Sequence, residues 1–253
     1  PPPAIDFDRM ALFLDFDGTL VDFAERPDLV QLEDSAKSAI AALQQSLSGA
    51  LAVVTGRDIA AVDHFLAPLT VPVAGVHGLA RRDADGRLFQ IKVDQSALDH
   101  LTARLGGFAA KNPGLLVERK SASVALHYRR AETLGLDCKA EMAEAIADLD
   151  GFILLQGHCV VEARSDRADK GRAIAAFLNE PPFTGRVPVF AGDDVTDEDG
   201  FAVVNDNNGL SIKIGPESSA ARYRFATRGA FQDWLIAQRV TAEAMTDTGS
   251  AAR

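Results

Sequence analysis

Hydrophobic positions along this chain follow two rhythms. Short, mainly apolar runs stand at residues 11–14, 50–54, 71–75, 187–191 and 210–214. They read as buried strands, with Pro188 the weak point of the fourth. Helical spacing fills the intervals: 32–47 closing at Gly49, 58–66, then Ile174, Phe177 and Leu178 after Asp169-Lys170-Gly171, and finally 231–236. Pro181-Pro182 stops the third of these helices. Strands alternating with helices predict an α/β fold built on an open, doubly wound parallel sheet.

From about residue 82 the rhythm changes. Asp85-Gly86 between two short runs signals a hairpin. Leu98, Leu101, Leu105 and Phe108 make one helical face, followed by strand patterns at 115–119 and 123–128. A helix at 131–149, with Leu134, Met142, Ile146 and Leu149 inward, precedes strands at 152–156 and 158–163 separated by Gly157. That order predicts an antiparallel sheet with helices on one face. The expected organisation is a discontinuous core, 1–81 and 165–253, carrying an inserted α+β domain at 82–164. The joins near Arg81 and at Arg164 to Asp166 are natural hinges, and closure there would exclude water from a site.

Candidate chemistry gathers at the strand tips, where an open parallel sheet binds its ligands. Asp15 ends the first run and Asp17 follows two positions later, before Gly18 and Thr19. Two carboxylates so close would repel each other, and a bound cation with a phosphate-transfer role would explain why both are kept. Asp15 could attack phosphorus to give an aspartyl-phosphate, and Asp17 could protonate the leaving oxygen and then deprotonate water. The plain alternative is a strand end followed by an Asp-Gly turn. Asp15-Phe-Asp-Gly-Thr19 resembles the first motif of the haloacid dehalogenase superfamily of phosphohydrolases.

Thr55-Gly56-Arg57 ends the second run, placing a hydroxyl where helix amides can join it on a phosphate oxygen. Alone it is equally a helix start; after the first motif it resembles the superfamily's second. Lys170 stands at a helix start that Asp169 would cap, the bland reading of that pair. After the 187–191 run come Asp193, Asp194, Asp197, Glu198 and Asp199, five acidic residues within seven positions. Elsewhere these would be a solvated loop; at a strand tip they read as a site for a hard divalent cation such as Mg2+. The expected ligands are Asp15, the Asp17 carbonyl and Asp193, with Asp194 or Asp197 reaching the metal directly or through water. Lys170 would neutralise charge and Thr55 orient the transferring group, with Gly18, Thr19, Gly56 and Arg57 as substrate-binding neighbours.

Composition narrows the partners. Lys plus Arg number 26 against 36 Asp plus Glu, a formal charge of −10. That acidity argues against nucleic acid or an anionic membrane, and it obliges a phosphate substrate to find a local positive site. No apolar run approaches the roughly 18 residues of a membrane span, and no signal peptide is visible. Cys138 and Cys159 make no metal-type spacing; a reducing cytosol is the simplest setting, with a disulfide left open. A cytoplasmic monomer is the expectation. Both ends, Pro1 to Pro3 and 241–253, look disposable.

A finer resemblance covers about 11–236. Glu118-Arg-Lys120, Leu126-His-Tyr-Arg129 and Val160-Val-Glu162-Ala-Arg164, joined to Asp169-Lys-Gly and the acidic stretch, resemble the trehalose-6-phosphate phosphatase family. The resemblance implies hydrolysis of trehalose 6-phosphate to trehalose and phosphate, the last step of trehalose biosynthesis, through an aspartyl-phosphate. It also implies that 1–81 with 165–253 is a Rossmann-like catalytic core and that 82–164 is a cap domain for substrate recognition, whose Glu118, Lys120, Arg129 and Glu162 bind sugar hydroxyls, which Glu can accept from and Lys donate to. Ordinary exposed strand charges are the alternative for each. One departure is His158, where the family's Gly-x-x-Val-x-Glu stretch would carry a lysine. With no synthase-like domain in view, a stand-alone phosphatase is expected. A phosphatase for sucrose phosphate or mannosyl-phosphoglycerate would keep the core residues and change the cap ones. A non-catalytic sugar-phosphate-binding regulator would usually have lost Asp15 or Asp17.

Overall fold

The computed structural model describes residues 2–22 and 30–250, with side chains of the last helix described as far as Arg239. Pro1 and residues 251–253 of the expected disposable ends lie outside the described residues. The chain divides into two compact units, Pro1–Gln90 with Asp169–Arg253, and Ile91–Ala168.

The first unit is built on β1 (Met10–Leu14), β2 (Leu51–Val54), β3 (Val73–Gly75), β4 (Ala80–Arg82), β5 (Leu88–Gln90), β10 (Val187–Gly192), β11 (Leu210–Ile214) and β12 (Tyr223–Phe225). Their order is β12-β11-β10-β1-β2-β3-β4-β5. Pairing is parallel from β12 to β3 and antiparallel in β3-β4-β5. Helices α1 (Asp34–Ser46), α2 (Ile59–Leu66), α5 (Lys170–Leu178), α6 (Glu198–Asp206) and α7 (Arg228–Ser250) accompany it. β1 lies between β10 and β2, and Ala11 to Leu14 are wholly buried. An unbroken apolar run belongs in such a strand, because neither face meets water. Phe13 stacks on Phe183 at 5.4 Å and tilts against Phe177 at 6.0 Å, tying β1 to α5.

The hairpin signal at Asp85-Gly86 is real, and it belongs to this sheet. Asp83 Oδ1 accepts the Asp85 and Arg87 amides, at 3.0 and 2.8 Å, closing the turn. Because β4 pairs with β3, the unit continues to Gln90 rather than stopping at 81; β9 carries the second unit's sheet to Ser165, and the first unit resumes at Asp169 rather than 165. Two elements carry no strong local signal. α6 starts inside the acidic stretch, where charge obscures the Phe201 and Val204 stripe, and β12 is a three-residue edge with arginine at its centre. Among the described residues no helix is long and apolar enough to cross a membrane.

The second unit has β6 (Leu116–Arg119), β7 (Ser123–His127), β8 (Phe152–Gly157) and β9 (Val160–Ser165) in the order β6-β7-β9-β8, every pair antiparallel. Helices α3 (Gln95–Lys111) and α4 (Gly135–Ile146) cover one face. Leu98, Leu101, Leu105, Cys138 and Met142 there meet Val124, Leu126, Val161 and Ala163. The expected helix at 131–149 is shorter, because a 3-10 turn, Glu132–Leu134, precedes α4. Cys138 and Cys159 are both free thiols.

Candidate active site

Parallel strands deliver their carboxyl ends to one edge of the sheet. Asp15 follows β1, Thr55 follows β2 and Asp193 follows β10. Lys170 opens α5, whose N-cap Asp169 accepts the Arg172 amide at 2.6 Å. Its buried ammonium donates to Asp15 Oδ1 at 2.7 Å and to Asp197 Oδ1 at 2.6 Å. Asp197 Oδ2 accepts the backbone amides of Asp193 and Asp194, both at 2.9 Å. The acidic stretch is thus a turn folded around Asp197. Asp194 Oδ1 caps that turn by accepting the Val195 amide at 2.7 Å.

Asp17 is gripped by a bidentate fork: Arg57 Nε donates to Oδ2 at 2.7 Å and Nη2 to Oδ1 at 2.6 Å. The guanidinium lies over the rings of Phe16 and Phe65, 5.3 and 5.0 Å from their centroids. Arg57, expected among the substrate-binding residues, therefore orients the acid–base candidate. Thr55 is buried, and its Oγ1 accepts the Arg57 amide at 3.1 Å, leaving the hydroxyl hydrogen to donate elsewhere. A Cβ on Gly56 would fall 2.7 Å from His77 Nε2, so this glycine admits a histidine that no sequence motif singled out. Gly18 has φ +77°, and a Cβ there would fall 2.2 Å from Asp193 Oδ2. Only glycine lets the Asp193 carboxylate lie against that backbone. Thr19 is fully buried beside it in sequence.

Asp15, Asp17, Thr55, Gly56, His77 and Lys170 line a cavity of about 120 Å³ with the acidic turn. Pockets for drug-sized ligands run to about 300–1,000 Å³, so this one suits a phosphoryl group rather than a disaccharide. A second cavity, about 500 Å³, shares Gly18, Asp193 and Asp194 and extends to Lys213, Glu217 and Arg228.

The electrostatics favour a cation. Asp15, Asp193 and Asp197 bring carboxylate oxygens within 4.8 Å of one another. Burial holds the Asp15 carboxyl well above the ordinary carboxylate range; Lys170 opposes this, while Asp197 and Asp193 add to it. Asp193 is pushed up to about 7, by burial first and then by Asp197. Burial works against the Lys170 charge, but Asp15 and Asp197 outweigh it and its pKa is raised. Among the described residues Asp193 Oδ1 is buried with no hydrogen-bond partner. An orphaned buried oxygen beside two further carboxylates is a donor set that a hard cation fits.

A pH dependence follows. Both shifted carboxyls bind protons more tightly folded than unfolded; for Asp193 this makes stability without cation fall as pH rises from about 4, its unfolded value, towards about 7, and the raised Asp15 acts in the same direction. Cation binding competes with those protons, so the rise in Tm on adding Mg2+ should grow between about pH 5.5 and 7.5. At a hundredfold excess over Kd it should reach about 2.7 kcal/mol, roughly 5–11 °C at about 2–4 °C per kcal/mol. Thermal melts in chelator and in Mg2+ across that range, on the parent and Asp193→Asn, check this. A cation response that is flat with pH, or intact in Asp193→Asn, would contradict it.

In the second unit, Glu118 and Glu162 both pair with Ala125, so the three share one face of the sheet, opposite α3 and α4. Lys120 Nζ donates to Glu162 Oε2 at 3.1 Å, and the Ser123 hydroxyl donates to Glu162 Oε1. His127 Nε2 lies 2.9 Å from Glu118 Oε2, adding a residue to this row. Arg129 is exposed beyond the end of β7, and His158 is exposed in the β8–β9 turn.

Residues 13–228 match the family model described as trehalose-phosphatase. A probable trehalose-phosphate phosphatase of Sinorhizobium fredii is 45% identical over 218 residues, 85% of this chain and 82% of that protein. The trehalose-6-phosphate phosphatase of Escherichia coli K12 is 39% identical over 228 residues, 90% of this chain and 85% of that protein. Among solved structures, the C-terminal domain of a Candida albicans trehalose-6-phosphate phosphatase shares the fold, with TM-score 0.80 at 20% identity over 94% of this chain and 99% of that one.

Proposed function

The chain belongs to the trehalose-phosphatase family, and we propose that it hydrolyses trehalose 6-phosphate to trehalose and phosphate by way of an aspartyl-phosphate on Asp15. The fold is that of the haloacid dehalogenase phosphatases. The observation that carries the mechanism is the buried Lys170 bridging Asp15 and Asp197 beside the orphaned Asp193 oxygen. Lys170 keeps the Asp15 carboxylate oriented and offsets its charge as it approaches phosphorus in line. Asp15 then forms the bond to phosphorus while the sugar oxygen departs, taking a proton from Asp17. In the second half, Asp17 takes a proton from water, which attacks phosphorus and releases Asp15. The Thr55 hydroxyl donates to a phosphoryl oxygen, and the Arg57 fork fixes the angle at which Asp17 faces the reacting oxygen. Asp15, Asp193 and the Asp17 carbonyl, with Asp194 and Asp197 around them, would hold Mg2+. When bound, that ion supplies positive charge to the oxygens of the transferring group.

Selectivity for the sugar has to come from residues other than these, because any phosphate monoester could use them. Glu118, Lys120, Glu162 and Arg129 would accept from and donate to sugar hydroxyls. Glu118→Ala and Glu162→Ala should lower kcat/KM for trehalose 6-phosphate about ten- to a thousandfold, about 1.4–4 kcal/mol of transition-state binding. Hydrolysis of a small aryl phosphate should barely change. Parallel losses on both substrates would point to misfolding and remove the recognition role. Phosphate release from trehalose 6-phosphate, sucrose phosphate and mannosyl-phosphoglycerate, compared side by side, tests the substrate assignment; preference for either of the latter two overturns it.

A further inference from the structure

Lys213 lies at the tip of β11, register partner of Gly192 on β10. It interrupts an otherwise mainly apolar strand, Leu210-Ser-Ile-Lys-Ile214, and only 2% of it is exposed. An ammonium taken out of water is costly unless something specific holds it. Its acidic neighbour, Glu217, is 3.6 Å away with a side chain 66% exposed, a pairing that solvent screens and that accounts for little. The closer partner is the carbonyl oxygen of Asp193, to which Lys213 Nζ donates.

That carbonyl belongs to the peptide joining Asp193 to Asp194, whose N–H is the Asp194 amide held by Asp197 Oδ2 at 2.9 Å. One peptide unit is therefore clamped at both ends, by Lys213 on its oxygen and Asp197 on its nitrogen. The preceding unit is held through the Asp193 amide, again by Asp197 Oδ2 at 2.9 Å. With the peptides on either side fixed, the Cα–Cβ bond of the Asp193 side chain leaves the backbone in a fixed direction. It brings the carboxylate against Gly18 and leaves Oδ1 without a hydrogen bond among the described residues.

We infer that Lys213 is a positioning residue for the cation site: it clamps the Asp193 peptide from the β11 side, so that the Asp193 carboxylate is aimed at the metal before the metal arrives. The inference rests on the reading of Asp15 and Asp193 as cation ligands. Residues that orient metal ligands typically contribute tenfold to a hundredfold in metal affinity. Lys213→Met keeps the aliphatic stem and loses the donor, and its Kd for Mg2+, measured by calorimetry, should rise about ten- to a hundredfold. Lys213→Gln keeps an N–H donor without the charge and should recover most of that loss. Aryl phosphatase activity of Lys213→Met should return towards the parent's as Mg2+ is raised, a recovery that a merely structural lesion would not show.

A Kd for Lys213→Met within twofold of the parent overturns the inference. So does a Lys213→Gln protein that folds but binds as weakly as Lys213→Met, since charge rather than positioning would then be at work. Should Lys213→Met fail to fold in chelator, Lys213→Gln decides: parent-like binding supports the inference, and failure to fold assigns the residue to structure and overturns it. Loss of Mg2+ binding in Asp193→Asn but not in Lys213→Met sinks this inference alone. A parent that binds no Mg2+ sinks the underlying reading with it.

Discussion

Asp15→Asn is expected to lower phosphate release from trehalose 6-phosphate about 10⁴- to 10⁶-fold, the scale on which loss of a nucleophile acts. The amide is isosteric and its oxygen can still accept from Lys170, which lies 2.7 Å from Asp15 Oδ1, so the fold should stand. Asparagine cannot form the acyl phosphate. Removing one of three crowded carboxylates also relieves repulsion with Asp193 and Asp197, so the Tm in chelator should hold or rise. Retained Tm with turnover lost separates a chemical role from a structural one. Turnover within a few-fold of the parent would remove Asp15 from the mechanism, and a collapsed Tm would make the residue structural.

Lys170→Met should damage both activity and stability. Its ammonium is the shared counter-charge of Asp15 and Asp197, at 2.7 and 2.6 Å, with all three side chains almost fully buried. Removing one partner of a buried ionic group leaves charge uncompensated and costs about 3–5 kcal/mol, a Tm loss of roughly 6–20 °C at about 2–4 °C per kcal/mol. kcat/KM should fall by about 10²–10³-fold through lost stabilisation of the developing charge. The sign with pH distinguishes this from simple loss of packing. The raised Lys170 pKa means its contribution is complete below the ordinary lysine value and is lost only as pH climbs through the folded one. Between about pH 5 and 8 the parent therefore keeps it. In Lys170→Met the raised Asp15 carboxyl loses the charge that opposes its protonation, so the Tm deficit should shrink towards about pH 5 and be largest near about pH 8. A deficit that does not vary with pH would indicate a packing defect and count against the charge role.

Much of the core was legible because its signals are local. Residues 11–14 and 50–54 read as strands from their unbroken apolar runs, and both are buried in parallel pairings. Once strand direction is set, residues following those runs must lie at one edge, so Asp15, Thr55 and Asp193 could be grouped without coordinates. The insert's strand patterns at 115–119, 123–128 and 158–163 were legible too, and the structure turns Val124, Leu126, Val161 and Ala163 inward and leaves Glu118 and Glu162 on the other face. A period of two determines that parity by itself.

Long-range geometry decided the rest. Lys170 and Asp15 are 155 positions apart, and their contact depends on how α5 packs beside β1, which no local period encodes. The fork between Arg57 and Asp17 needs β1 and β2 to be neighbours, a matter of sheet order. The unit boundary moved from 81 to Gln90 because β4 found a partner in β3, and hydrogen bonding between strands outweighs a change of sequence texture. Along the chain Asp194 and Asp197 stood as alternatives beside Asp193; the backbone distinguishes them, burying Asp197 under two amides and an ammonium while Asp194 caps the turn. Lys213 stands inside the 210–214 run without a motif to mark it, and its meaning required the carbonyl it touches. The sequence by itself determined which side chains stand at the strand tips, because apolar runs and chain direction are local properties. Which carboxylates meet one ammonium, and at what separation, was determined only by the packing of elements distant in the chain.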